Sequence, residues 1–308
     1  MQNPYLKKIG LSFSFIFILF SLCFAQFINT DKTIIVNSKK IFVNLGLDNT
    51  TQTIISKRGY SGVITIGVEP NIDKLTFNEE LLLSKIAIQI PQKNSKAIVV
   101  LDWEGEALSI LHDKDSSITE YKKVFDQFVS AYELVKTERP LVTCGFYGLP
   151  FRTYWKRDSL WIKKCINLKP LLSHFDALFP SDYVLYKDSI DVKGTDNINF
   201  VRDNVQIALR LSYELKKPSY IFIWHRYHDS NKKYGLELIP EKYFKDQIIA
   251  ISQSKYKNKK PDGIIWWSAE IYYHNVLSKT KTVSDLKNYK FSDGKTTLRY
   301  LKIINENL

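Results

Sequence analysis

Short apolar runs alternate with amphipathic segments along most of this chain, and that alternation limits the folds open to it. Strand-like runs occupy residues 41–45, 62–67, 97–102, 141–146, 177–180, 219–224 and 263–267. Helical spacing fills the gaps, over residues 78–89, 117–136, 159–172, 197–215 and 240–254, and a tail at 284–305 carries one more helix or an irregular cover. Pro240 suits the first turn of its helix. Such a sequence calls for parallel strands joined by crossover helices. The expected fold class is therefore α/β, a distorted TIM-like (β/α) barrel with about seven parallel strands. An open doubly wound sheet is the competitor, but no G-x-G-x-x-G follows the first strand.

The N-terminus has the layout of an export signal. Lys7 and Lys8 precede an apolar stretch from Ile9 to Leu22, and Ala25 suits the position before a cleavage that leaves Gln26 first. The expected division is a signal peptide over 1–25 and a single catalytic barrel domain over 26–308. Leu22 before Cys23 is a poor fit for a lipoprotein site, so simple secretion, to the periplasm, the cell surface or the medium, ranks first. No later stretch is long and apolar enough to span a bilayer. Removal of 1–25 takes two lysines and no acid, lowering the formal net charge from +12 to +10. A basic exported protein suits polyanions, and here acidic glycans fit better than nucleic acid. Cys144 and Cys165 remain, and an exported chain permits a bond between them.

The chemistry concentrates at strand ends. The run Ile98-Val99-Val100-Leu101-Asp102-Trp103-Glu104 is a buried strand that surfaces in two carboxylates. Side chains alternate along a strand, so Asp102 and Glu104 point the same way. Two acids side by side cannot both ionise freely, so one is held ready to donate a proton near neutral pH. Paired carboxylates of this kind cleave glycosidic bonds. Other strand ends add Tyr147, Tyr183, Trp224 with Arg226, and Trp267 with Glu270 beyond. Aromatics at one rim suit stacking against sugar rings, whereas scattered ones serve packing. His225, His228 and Asp229 lack a third ligand at metal-site spacing, so neither metal nor cofactor is expected. A nucleophile elbow and a phosphate loop are absent too.

Four segments resemble the hyaluronidases of glycoside hydrolase family 56. They are Val100-Leu101-Asp102-Trp103-Glu104, Gly145-Phe146-Tyr147-Gly148-Leu149-Pro150, Ala177-Leu178-Phe179-Pro180-Ser181-Asp182-Tyr183 and Gly263-Ile264-Ile265-Trp266-Trp267-Ser268, in the family's order. The resemblance implies a seven-stranded barrel and endo-cleavage of β-linked N-acetylhexosamine polymers, hyaluronan above all. It implies Glu104 as acid and base, with the substrate's own acetamido oxygen as nucleophile. Asp102 would orient that group, Tyr183 would hydrogen-bond it and Trp267 would wall its pocket. Tyr147, Trp224 and Arg226 complete the expected sugar contacts. The chain departs from the family after the acid pair, where Gly105-Glu106-Ala107-Leu108 replaces a Trp-Arg-Pro run. That departure keeps two alternatives open. One is a glycan-binding protein on a hydrolase-like barrel, and the other is a barrel glycosidase for another acidic or envelope glycan.

Overall fold

The computed structural model of the protein describes residues 62–188, 191–193, 195–268 and 293–308, the strands Ile34–Ile35 and Ile41–Leu45, and Thr53, Ile55, Lys57, Tyr60, Glu270, Tyr273, Tyr289 and Lys290. The expected signal segment and Cys23 lie outside the described residues. The strands are β1 (Ile34–Ile35), β2 (Ile41–Leu45), β3 (Val63–Gly67), β4 (Ile98–Asp102), β5 (Thr143–Phe146), β6 (Tyr220–Ile223) and β7 (Gly263–Ser268). The helices are α1 (Glu79–Gln89), α2 (Glu106–Asp113), α3 (Thr119–Glu138), α4 (Ser159–Asn167), α5 (Lys169–Leu172), α6 (Asp196–Leu215), α7 (Glu241–Gln253) and α8 (Gly294–Asn307).

The strands form two sheets. In one, β3, β4 and β5 run parallel; in the other, β2, β7 and β6 run parallel and β1 adds antiparallel to β2. A continuous ladder of seven parallel strands is thus not what the described residues form. One break lies between β2 and β3, which do not pair, and the other falls at the expected fifth strand. Residues 177–181 make only isolated parallel bridges, Tyr147 with Phe179 on one side and Leu178 with Ser219 and Ser181 with Phe222 on the other. Pro180 has no N–H to donate, so a regular strand cannot run through it. Its carbonyl still accepts from Phe222 N–H at 2.9 Å.

Two further differences from the expected elements have local causes. The helix expected over 159–172 is split at Leu168, because Pro170 enters the first turn of α5 and cannot continue α4. The short helix α2 was not expected at all. Gly105 starts it at φ +77°, a conformation glycine adopts freely, and this turns the chain sharply just past Glu104.

Alternation along the strands sorts the apolar residues into three cores. Val99, Leu101, Cys144 and Phe146 face α1 to α5. Ile221, Ile223, Ile264 and Trp266 face α6, α7 and α8. Val63, Ile98, Val100, Phe179, Phe222 and Ile265 join the two sheets across the face each turns away from its helices. Cys144 and Cys165 are both free and buried, and the Cys165 thiol donates to the Phe151 carbonyl at 3.3 Å.

Gly145 permits the close approach between β5 and the bridging segment. A Cβ there would lie 2.5 Å from the Ala177 carbonyl oxygen and 3.0 Å from the Phe179 ring. Gly145→Ala is expected to destabilise the protein by roughly 1–3 kcal/mol, the usual range for overpacking. Urea denaturation of the two proteins checks this, and equal midpoints would contradict it.

Candidate active site

The inner face ends in a polar layer. One step of two residues beyond Val100, Gly145, Phe179, Phe222 and Ile265 stand Asp102, Tyr147, Ser181, Trp224 and Trp267. The ladder fixes this layer: Asp102 lies opposite Gly67, and its carbonyl accepts from Val68 N–H at 2.8 Å.

The two acids differ in surroundings. Asp102 is half-buried, and its Oδ1 has no hydrogen-bond partner. Burial first, then the charges of Glu104 and Glu69, push its pKa up to about 7. Glu104 is exposed as a residue, yet its carboxyl is partly enclosed. That enclosure raises its pKa, Arg152 opposes the rise and Asp229 adds to it. The pair therefore holds a proton that an exposed pair would lose.

Aromatic rings wall the acids. Trp267 stacks on Tyr183 at 5.8 Å between centroids and meets Trp224 edge-on at 4.7 Å. Tyr147 lies 5.9 Å from Tyr183, and burial pushes its phenol up to about 12, so it stays protonated. Tyr147 shares a hydrogen bond of 2.9 Å with Ser181 Oγ, which also accepts from Arg152 Nη1 at 2.8 Å. His228 lies beside Tyr183; burial, then the nearby Arg152, lower it to about 4 against the pull of Asp229, so the ring is neutral. Ser230 N–H donates to its Nδ1 at 3.2 Å, which leaves the ring proton on Nε2. A cleft of about 420 Å³ opens beside these groups, lined by Glu104, Tyr147, Arg152 and Ser181 and flanked by Ser109 and His112 of α2.

Two expected sugar contacts do not face this cleft. Arg226 is 0% exposed and its donors are committed: Nε and Nη2 grip Glu270 at 2.7 and 2.9 Å, Nη1 donates to the Leu236 carbonyl and Nη2 to that of Lys290. The strand ends at Ile223, and Arg226 instead pairs with Leu238, so the two-residue rhythm no longer aims it inward. Burial alone would raise the Glu270 carboxyl, but His225 and Arg226 hold it well below the usual range. Arg226 and Glu270 thus fasten the segments after β6 and β7 to each other. Trp224 is 2% exposed and stands behind Tyr183 and Trp267, which it backs. Asp102, Glu104, Tyr147, Tyr183 and Trp267 do come together.

Arg152, Ser181, His228 and Asp229 belong to this site but were not singled out as site residues from sequence. Ser181 was legible, since it falls between Phe179 and Tyr183 at the same spacing. Arg152 and His228 sit on irregular loops, where no periodicity gives direction. Glu106 turns away into the first turn of α2 and lies 3.7 Å from Lys74. Among the described residues no three His, Cys, Asp or Glu side chains gather as a metal site, and no helix is long and apolar enough to cross a membrane.

No protein-family model matches the chain, and no curated protein does. Among solved structures it is similar to bee venom hyaluronidase in a monoclinic crystal form, with a TM-score of 0.54 and 14% identity over 72% of this chain and 86% of that one. The bee venom enzyme in complex with a hyaluronic acid tetramer is similar too, with a TM-score of 0.51 and 13% identity over 71% and 84%. The chain thus has a hyaluronidase-like α/β fold, and at this identity the likeness speaks for the fold.

The raised Asp102 pKa links stability to pH. The folded state keeps the proton to about pH 7, whereas the unfolded chain releases it near 3.8. Stability falls as pH rises through that window, by roughly 4 kcal/mol once both states are ionised. Asp102→Asn removes this loss. The variant is expected to gain stability over the parent at pH 8 and to match it at pH 4, by chemical denaturation at both values. An equal difference at both pH values would contradict the assignment.

Proposed function

We propose that this chain is a hyaluronidase-like glycoside hydrolase that cuts β-linked N-acetylhexosamine polymers by substrate-assisted, retaining hydrolysis. The observation that carries the reading is the strand-end acid pair: a more deeply set Asp102 and an open Glu104, both with raised pKa, against an aromatic wall. The hyaluronidase-like fold supports it. On this reading residues 26–308 form one catalytic domain, with the two sheets closing as a barrel through 178–181 and the approach of β2 to β3. The export-like sequence of the N-terminus supports action outside the cytoplasm.

Each residue then has a task. Glu104 gives its proton to the glycosidic oxygen as that bond to the anomeric carbon breaks. The substrate's acetamido oxygen forms a bond to the same carbon, making a cyclic oxazolinium ion. With the pair's one proton on Glu104, Asp102 acts as the carboxylate: it accepts a hydrogen bond from the acetamido N–H and stabilises the positive charge that develops there. Tyr183 and Trp267 shape the pocket around the acetamido group, and Tyr147 contacts the sugar. Glu104, now a carboxylate, takes a proton from water as its oxygen attacks the anomeric carbon and the ring opens. Two inversions at that carbon retain its configuration.

Glu104→Gln keeps the shape of the side chain and removes its titrating proton. Turnover on the polymer the parent cleaves is expected to fall by about a hundredfold or more. Hyaluronan, chondroitin and peptidoglycan fragments, incubated with each protein and read by mass spectrometry, test this. Unchanged turnover would contradict the mechanism, and binding without cleavage by the parent would make the chain a glycan-binding protein.

A further inference from the structure

We infer that Arg152 reads a carboxylate on the sugar beside the cleaved N-acetylhexosamine, which makes it the residue that selects acidic polymers. The inference rests on the glycosidase reading for its substrate class.

Arg152 lines the same cleft as Glu104, Tyr147 and Ser181. Its guanidinium is anchored on one side only. Nη1 donates to Ser181 Oγ at 2.8 Å and to the Tyr183 carbonyl at 3.3 Å. Nε and Nη2 have no acceptor among the described residues, and no carboxylate lies within 4.0 Å of them. Arg139, Arg157, Arg210, Arg226 and Arg299 each pair with an acid of this chain. The free edge of Arg152 is the very edge with which Arg226 grips Glu270 at 2.7 and 2.9 Å. Two parallel N–H groups on one planar edge fit a carboxylate in bidentate fashion.

Among the described residues no neighbouring acid pairs with that edge: Glu104 feels the charge of Arg152 across the cleft but forms no ion pair with it. Asp182 is next to Ser181 in the chain, but it is buried with neither carboxyl oxygen partnered, and burial raises its pKa well above the usual carboxylate range against the pull of Arg152. The anchoring also limits motion. With Nη1 fixed to Ser181, the open edge needs little ordering when a ligand arrives. A sugar-borne carboxylate, whether of a uronate or of a lactyl ether, meets this edge; a neutral chain offers it nothing.

Binding separates this inference from cleavage. Glu104→Gln protein, expected to turn substrate over at least about a hundredfold more slowly, is titrated calorimetrically with a hyaluronan tetrasaccharide, a muramyl-containing tetrasaccharide and neutral chitotetraose. Adding Arg152→Gln is expected to weaken the carboxylate ligand that binds by about tenfold or more and to leave chitotetraose unchanged. Arg152→Lys should recover the affinity only in part, because a point charge replaces a fork. An equal loss on charged and neutral ligands would overturn the inference, as would no loss on either or binding of none of the three. Should Arg152→Gln fail to fold, the parent is compared on native and carboxyl-reduced hyaluronan, with at least tenfold weaker binding of the reduced form expected and equal binding overturning the inference. A chain that needs Arg152 for the acidic ligand but cuts no polymer would refute the hydrolase reading and leave this one standing.

Discussion

The two-residue alternation of side chains along parallel strands is the constraint on which the rest depends. It sends Val99 and Leu101 to the helices and Val100 to the opposite face, so Asp102 must follow Val100. The same rhythm brings Tyr147, Ser181 and Trp267 to the same level from other strands. A one-residue slip in β4 would turn Asp102 to the helix side and lay Leu101 in the cleft. The apolar layer beneath therefore both holds the sheets together and aims the acids.

That placement sets function against stability. A carboxyl with an unpartnered oxygen beside two other acids is a poor choice for holding a fold together. The protein offsets it elsewhere. Arg226 and Glu270 satisfy each other in full burial, with Tyr289 donating to Glu270 at 2.8 Å, and so tie down the segments that follow the neighbouring strands β6 and β7. The buried Arg226–Glu270 pair is fully partnered and structural, while half-buried Asp102 keeps one oxygen without a partner beside Glu104. Partnering, more than burial, separates a strut from a reactive group here.

Much of this was legible in the sequence. The apolar runs gave six of the parallel strands to within two residues at either end, and the spacing of Asp102 and Glu104 set their common direction. The failures share a cause. Periodicity describes regular segments, and the chain leaves regularity at Pro180, Gly105 and Ile223. Beyond Ile223 the rhythm points Arg226 inward, but the chain turns to pair with Leu238, and the arginine is swallowed by Glu270. The arginine that reaches the cleft is Arg152, on a loop after β5 where composition alone gives no direction. Helix α2 carries an apolar pattern in Ala107, Ile110 and Leu111, but over only eight residues, and its start depends on the conformation of Gly105.

In the proposed mechanism the acetamido group of the substrate acts as nucleophile, with Asp102 and Glu104 dividing the work between them. The most direct measurement is the configuration of the first-formed product. Hyaluronan, or the polymer that proves to be cut, is digested in an NMR tube and the new anomeric proton is followed before mutarotation. Retaining hydrolysis predicts the β anomer of an N-acetylhexosamine at the new reducing end. An initial α anomer, or an unsaturated product from elimination, would contradict it.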